Sequence, residues 1–261
     1  MTGFFLKKNL YDGWDNVLTL LAINALLLVV NALFLFGALS LSSHQALAWL
    51  LLSLAWLVTG GLLAAVSAEC YRVASFKSFS WKSLVSHLKT ESIYGILCAA
   101  LSLLAALILL VSVPWYARWG NGIGLAFALV LIWIALVVIL SLQWFYPIRS
   151  QLKVSFIRSV QKCFVIFFDN PGLSLFMALY SLLCIFISLI TLFLLPGFSG
   201  LILAYNEAFR LLLYKYDWAE AHPLMDWRVA RKQVPWDDLL AHDEETLGDR
   251  SFKHFIFPWK N

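Results

Sequence analysis

Long apolar stretches alternate along this chain with short polar and basic segments. The first stretch, Val17–Leu41, contains no charged side chain. As a helix it would be about 37 Å long, and the hydrocarbon layer of a bilayer is only about 30 Å thick. The same pattern recurs down the chain, and it predicts an all-α bundle of six transmembrane helices, over residues 17–41, 46–68, 92–113, 123–145, 173–195 and 198–214.

The composition agrees with this hydrophobic pattern. Apolar residues make up 62% of the chain and charged residues 13%, whereas soluble domains have about 45–50% and about 25%. The apolar runs are too long, and alternate too little, for the strands of a membrane barrel. The lipid bilayer is therefore the first expected partner of residues 1–214, which form the membrane domain, and residues 215–261 form a separate polar tail.

The basic residues predict the orientation of the bundle. From the N-terminus to the tail, the segments outside the predicted spans contain 2, 0, 4, 1, 4, 0 and 7 lysines and arginines. Because basic segments stay in the cytoplasm, this alternation predicts that both termini are cytoplasmic and that the short sixth segment crosses. A re-entrant sixth segment remains the alternative.

Three polar segments flank the spans on the predicted cytoplasmic side. In residues 1–16, we expect Phe4 and Phe5 to lie in the headgroup layer while Lys7 and Lys8 stay in water. The segments 70–91 and 148–170 resemble each other, and each predicts an amphipathic helix along the membrane face, capped by Ser80 or Ser155. Their exposed face is either a docking surface for a partner or a lipid anchor, and it comprises Trp81, Lys82, Leu84, Val85, Leu88, Phe156 and Arg158.

Several polar residues lie within the predicted spans. Asn24 and Asn31 share a face of span 1, either as hydrogen-bonded contacts between helices or as the lining of a polar path. Gly60 and Gly61 in span 2 favour a close approach of another helix.

Span 6 contains Asn206, Glu207 and Arg210. Since charged groups at membrane depth need a partner, Glu207 and Arg210, three residues apart, are expected to pair. A proton or substrate site is the alternative.

The sequence contains no recognisable catalytic constellation. No metalloprotease, nucleophile-elbow, dinucleotide-binding or phosphate-loop motif is present, so an enzyme is not expected. Cys70, Cys98, Cys163 and Cys184 have no metal-site spacing and are expected to pack as small apolar side chains. We expect no cofactor and no metal, and the absence of a basic stripe interleaved with aromatics argues against nucleic acid.

The tail, residues 215–261, is too short to build a sizeable core of its own. A helix is expected to begin near Pro235–Leu240, where acidic residues in the first turn suit the helix dipole. The apolar end of the chain predicts that the tail packs back onto the membrane domain, and a peptide that binds a partner is the alternative.

Three stretches resemble the YesL-like family of bacterial integral membrane proteins: FFLKKNLYDGWDNVLTLLAINALL, FSWKSLVSHLKTESIYG and LAYNEAFRLLLYKY. The resemblance covers roughly residues 3–216 and implies a six-helix protein of the bacterial cytoplasmic membrane. It further implies an accessory, non-enzymatic role in carbohydrate uptake, with permease or ATPase subunits of an ABC-type transporter as partners. A small-solute transporter or channel in its own right is the alternative.

Overall fold

The computed structural model describes residues 1–41, 43–222 and 233–248, and in this part of the chain helices joined by short turns are the only regular secondary structure. Its helices are α1 Thr2–Asp15, α2 Val17–Ser40, α3 Gln45–Ala74, α4 Trp81–Ala117, α5 Gly122–Leu142, α6 Phe145–Leu152, α7 Phe156–Asp169, α8 Pro171–Ile190, α9 Gly197–Ala221 and α10 Trp236–Leu247.

Five helical segments are long and apolar enough to cross a membrane: α2, α3, α4, α5 continued through α6, and α8. They coincide with the first five predicted spans to within a few residues at most ends. Large apolar side chains such as Leu18, Trp49, Leu110 and Ile190 point outward from these helices. This surface is what lipid would cover in a multi-pass membrane protein.

Helix α9 contains the predicted sixth span and lies at the centre of the fold. It contacts α1, α2, α3, α6 and α8, and its residues Ile202–Phe209 are all buried. One apolar core surrounds it, built from residues such as Trp144, Phe145, Met177, Phe209 and Leu212. The least hydrophobic of the predicted spans is therefore enclosed by protein rather than exposed at the surface.

The first of the two predicted amphipathic segments differs from expectation. Residues 81–91 are not a separate helix along the membrane face, because Trp81–Ala117 is one continuous helix of 37 residues. The side chain of Ser80 accepts a hydrogen bond from the Ser83 N–H at 3.4 Å, as predicted for an N-cap. Pro114 does not end this helix, which continues to Ala117.

The N-terminal segment is a helix that packs on the bundle instead of a loose interfacial lead-in. Phe4 and Phe5 are buried in the core cluster that contains Phe209. Lys8, predicted to be in water, is only 1% exposed. The apolar environment of Lys8 means that its charge must be compensated within the protein.

Helices α3 and α4 approach each other closely at a glycine of each helix, Gly60 on α3 and Gly95 on α4. A Cβ at Gly60 would lie 2.6 Å from the Cβ of Ala99, and one at Gly95 would lie 2.1 Å from the Gly60 carbonyl oxygen. The close helix approach predicted from Gly60 and Gly61 is thus confirmed, with Gly95 as the opposing residue.

Helix α10 in the tail packs against the bundle. Leu240 and Leu247 belong to the same buried cluster as Phe209, and Asp243 is 2% exposed. The predicted helix start at Pro235 is confirmed, with Asp237 and Asp238 in the first turn.

Candidate functional site

Asn24 attaches α2 to the turn between α8 and α9. Its Nδ2 donates to the carbonyl oxygens of Leu194 at 3.0 Å and Pro196 at 2.8 Å. Its Oδ1 accepts from the Ser199 N–H at 2.9 Å. The amide thus satisfies the backbone at the start of α9, where helical N–H groups have no partner in their own helix.

Asn31, two turns further along the same face of α2, contacts a different helix. Its Nδ2 lies 3.0 Å from Oγ1 of Thr59 on α3, and the Thr59 hydroxyl lies 3.1 Å from Oδ1 of Asn31. Asn24 and Asn31 are therefore both contacts between helices. The structure does not bring them together around a common path.

Asn206 is the centre of a buried hydrogen-bond network between three helices. Its Nδ2 donates to Ser67 Oγ on α3 at 2.9 Å. Its Oδ1 accepts from Ser150 Oγ on α6 at 2.8 Å, and its backbone carbonyl accepts from Gln151 Nε2 at 2.8 Å. Polar contacts of this kind hold helices in one register, since a slip would leave buried groups unpaired.

Arg210 does not form the predicted ion pair with Glu207. Its Nη2 lies 3.0 Å from Oδ1 of Asp243 on α10, and its Nη1 donates to the Ala74 carbonyl oxygen. Tyr214 completes the cluster, with its hydroxyl 3.1 Å from Oδ2 of Asp243. The counter-charge of Arg210 therefore comes from Asp243 in the tail, whereas the sequence predicted that Glu207 on α9 itself would provide it.

Glu207 is 1% exposed, and neither carboxylate oxygen has a hydrogen-bond donor in the described part of the chain. Helix α1, which packs against α9, contributes Asp12 to the same interior. Asp12 itself forms a buried ion pair with Lys8, whose ammonium group also lies 4.0 Å from the centre of the Phe76 ring.

Three further buried charged groups, Arg149, Glu91 and Glu69, lie in two clusters that the sequence analysis does not single out. Arg149 on α6 pairs with Glu91 on α4 through Nε and Oε2 at 2.8 Å. Glu69 accepts from the Ser80 N–H at 3.1 Å and lies 3.4 Å from Nε2 of His87. The signal that could have identified them is a single acidic residue next to a long apolar run.

The predicted docking face is divided by the structure. Leu84 is buried, and Leu88 and Phe156 are half-buried against the core. Trp81, Lys82, Val85 and Arg158 are exposed. Only these four remain available to a partner or to lipid.

An apolar cavity of about 880 Å³ lies between α1, the start of α2, α8 and α9. Its lining includes Leu6, Leu10, Leu183, Ile187 and Leu203. Asn9 also lines it, and its Nδ2 has no hydrogen-bond partner in the described structure. The cavity is of the size that small-molecule ligands occupy.

All four cysteines are free thiols and buried. Among residues 1–41, 43–222 and 233–248, no group of three or more His, Cys, Asp or Glu side chains could hold a metal ion.

Comparisons of this chain with protein-family models, with curated proteins and with solved structures found no match. The functional argument therefore depends on the residues and contacts described above.

Proposed function

We propose that this protein is a YesL-like, non-enzymatic accessory component of ABC-type carbohydrate transport in the bacterial cytoplasmic membrane. The proposal rests on a difference between the polar groups inside the bundle, which bond to one another's helices, and the groups exposed at the start of α4. Inside the bundle Asn24, Asn31 and Asn206 bond to other helices, whereas Trp81 and Lys82 at the start of α4 are exposed. Interior groups used in this way stabilise the bundle, and the exposed aromatic and basic groups are available to a partner.

The partner surface of this proposal comprises the four exposed residues of the predicted docking face. Trp81 is 51% exposed and Val85 is 55% exposed. Lys82 and Arg158 add positive charge, which suits an acidic surface on a permease or ATPase subunit.

Co-purification tests this role. The tagged full-length chain is expected to recover transporter subunits from detergent extracts, and the double variant Trp81→Ala/Val85→Ala should recover at least about tenfold less. The matched control is Trp49→Ala/Leu50→Ala, which removes two even more exposed apolar side chains from α3. Equal recovery by both variants would contradict the proposal.

The same proposal includes six spans with both termini in the cytoplasm. Helix α9 has 25 residues and would be about 37 Å long, enough to cross the hydrocarbon layer. A fluorescent reporter fused after Asn261 should be active, and alkaline phosphatase fused at the same place should not. The opposite result would place the tail outside and remove α9 from the set of spans.

One observation favours the alternative of a solute transporter. Glu207 is buried, and neither of its carboxylate oxygens has a hydrogen-bond donor in the described part of the chain. Ionisable groups at membrane depth commonly mark ion or substrate pathways. In that case the purified protein in liposomes would conduct solute flux that Glu207→Gln abolishes. The absence of any flux in the unmodified protein would rule the alternative out.

A further inference from the structure

The apolar cavity beside α1 extends along most of this helix. Gly3, Leu6, Leu10 and Gly13 line it, and their spacing of three and four residues places them on one face of α1. Gly3 and Gly13 are about 15 Å apart along the helix axis. Residues of α8 and α9 complete the lining, and the volume is about 880 Å³. An extended apolar chain fits a cavity that follows a helix in this way.

The lining combines exposed and buried apolar side chains. Leu6 on α1 and Leu183 on α8 are exposed, whereas Leu20 and Leu203 are buried. The cavity is therefore open on one side to the surroundings of the protein. Exposed apolar surface of this kind is unfavourable in water and favours contact with hydrocarbon.

Two glycines keep the space next to α1 open. A Cβ at Gly3 or at Gly13 would meet nothing within 4 Å, although both residues line the cavity. Open space thus reaches the backbone of α1 at two points. A ligand can lie directly against the helix there.

Asn9 brings an unsatisfied hydrogen-bond donor to the same cavity. The residue lines the cavity and is only 8% exposed, and its Nδ2 has no hydrogen-bond partner in the described part of the chain. Buried amide groups are nearly always bonded, because an unpaired one is unfavourable. An oxygen atom of a molecule in the cavity would provide the acceptor.

The charge at the cavity is positive. Lys7 lines it, is exposed, and precedes Asn9 by two residues. None of the described residues in the lining is an aspartate or a glutamate. The matching ligand has an apolar chain, an oxygen acceptor at one end of that chain and a negative group next to it. An anionic phospholipid has these three features in this order.

We propose that the cavity beside α1 binds one acyl chain of an anionic phospholipid. The phosphate lies at Lys7, and an ester oxygen at the start of the chain accepts from Nδ2 of Asn9. The chain then runs between α1 and α8 past Leu10 and Gly13. The bound lipid fills the space between α1 and the α8–α9 hairpin. This site goes beyond the accessory role, and its tests involve neither transporter subunits nor solute flux, so either proposal can fail without the other.

Native mass spectrometry of the full chain, titrated with phosphatidylglycerol in detergent, tests the site. The unmodified protein should form an adduct with one lipid molecule. Phosphatidylcholine with the same acyl chains has no net charge, and its adduct should be weaker by up to about fivefold, the worth of one exposed charge pair. The absence of a one-lipid adduct, or equal affinity for the two lipids, would overturn the proposal.

Gly13→Leu tests the path of the acyl chain. The new side chain extends into open space, and leucine favours a helix more than glycine does, so the variant should fold. It should weaken the one-lipid adduct at least about tenfold by filling the cavity. The matched control is Gly172→Leu on α8, where a Cβ also meets nothing within 4 Å but which does not line the cavity.

Two outcomes of this comparison would overturn the proposal. The first is equal lipid binding by Gly13→Leu and Gly172→Leu. The second is the loss of a dimer, rather than of a lipid adduct, in Gly13→Leu, which would assign the cavity to a second copy of the chain.

Asn9→Leu separates a contact with lipid from a structural role. It should weaken the adducts of both lipids about threefold to tenfold through the lost hydrogen bond. The melting temperature of the lipid-free protein should not fall, because Nδ2 has no partner there to lose. Unchanged lipid binding, or a lower melting temperature without lipid, would overturn the proposal.

Lys7→Gln tests the position of the phosphate. It should abolish the preference for phosphatidylglycerol over phosphatidylcholine, whereas Lys89→Gln, which removes another exposed lysine, on α4, should retain it. A preference that persists in Lys7→Gln would overturn the proposal.

The apolar end of the chain, which lies outside the described residues, is the competing occupant of the cavity. Phe255→Ser/Phe257→Ser in the full-length chain should bind phosphatidylglycerol as tightly as the unmodified protein. Tighter binding by this variant would show that the tail competes for the cavity, and would overturn the proposal.

Discussion

Arg149 on α6 donates from Nε to Oε2 of Glu91 on α4 at 2.8 Å, and its guanidinium group lies 3.6 Å from the centre of the Tyr94 ring. The pair joins the two polar segments that resemble each other in the sequence. Both side chains are about 10% exposed, so neither charge has access to enough water to be stable alone.

We expect Glu91→Ala to be strongly destabilising because it leaves Arg149 buried without its counter-charge. The loss should be about 3–5 kcal/mol of unfolding free energy, measured by thermal unfolding in detergent. The double variant Glu91→Leu/Arg149→Met should lose less than Glu91→Ala. If Glu91→Leu/Arg149→Met were less stable than Glu91→Ala, the ion pair would stabilise the protein by more than the mutual compensation of its two charges.

Asn24→Ala should destabilise the protein more than Asn31→Ala. The first change leaves the Leu194 carbonyl oxygen and the Ser199 N–H without their partner, at about 1–3 kcal/mol for each buried group left unpaired. The Pro196 carbonyl oxygen keeps its bond from the Gly200 N–H. The second change mainly removes a partner of the Thr59 hydroxyl. Unfolding of both variants under the same conditions gives the comparison, and equal losses would contradict the role assigned to Asn24.

Gly95→Ala should force α3 and α4 apart. The added methyl group would lie 2.1 Å from the Gly60 carbonyl oxygen, a backbone atom that cannot rotate away. Overpacking of this kind typically costs about 1–3 kcal/mol. Gly172→Ala at the exposed start of α8 meets nothing within 4 Å and serves as the control, with a much smaller expected change in melting temperature.

Asp243→Ala should release α10 from the bundle. It removes the counter-charge of Arg210 and an acceptor of the Tyr214 hydroxyl. A glutamyl endopeptidase should then cleave after Glu244 or Glu245 much faster than in the unmodified protein, because helical, packed backbone resists proteolysis. Asp238→Ala changes an exposed acid in the first turn of the same helix and should leave the cleavage rate nearly unchanged.

Cys163 on α7 should be unreactive toward maleimide in the folded protein. Burial raises the pKa of the Cys163 thiol, so the reactive thiolate is scarce at neutral pH. The side chain also has no exposed surface. Mass spectrometry should detect the adduct only after unfolding. Ser155→Cys, at the exposed start of the same helix, should react quickly, and fast labelling of native Cys163 would show that α7 detaches from the bundle.

The positions of the apolar helices could be predicted from the sequence because lipid imposes a simple requirement. A helix that contacts hydrocarbon must be apolar over about 20 residues, and this is visible in stretches such as Val17–Leu41. The close approach at Gly60 was also predictable, since small residues next to each other permit it. The partner residue Gly95 was not, because nothing in the local sequence indicates which helix lies opposite.

Arg210 shows why the candidate site was only partly predictable. The spacing of Glu207 and Arg210 indicates that they lie on neighbouring positions of one helix. It carries no information about a competing carboxylate 33 residues later in the chain, Asp243, which binds Arg210 instead. The prediction that Lys8 lies in water was wrong for a similar reason. The burial of α1 depends on helices that are distant from it in sequence.

The sequence by itself determined that this is a helical protein whose apolar segments have membrane-spanning length, since hydrophobicity and its period are local properties. Only the tertiary structure decided that α9, the least apolar of the predicted spans, is the buried centre, and that the pairs Lys8–Asp12 and Arg210–Asp243 are buried against it. The physical reason is that a buried charge is tolerated only beside its partner. The partners come from α1, α9 and α10, which the chain brings together only on folding.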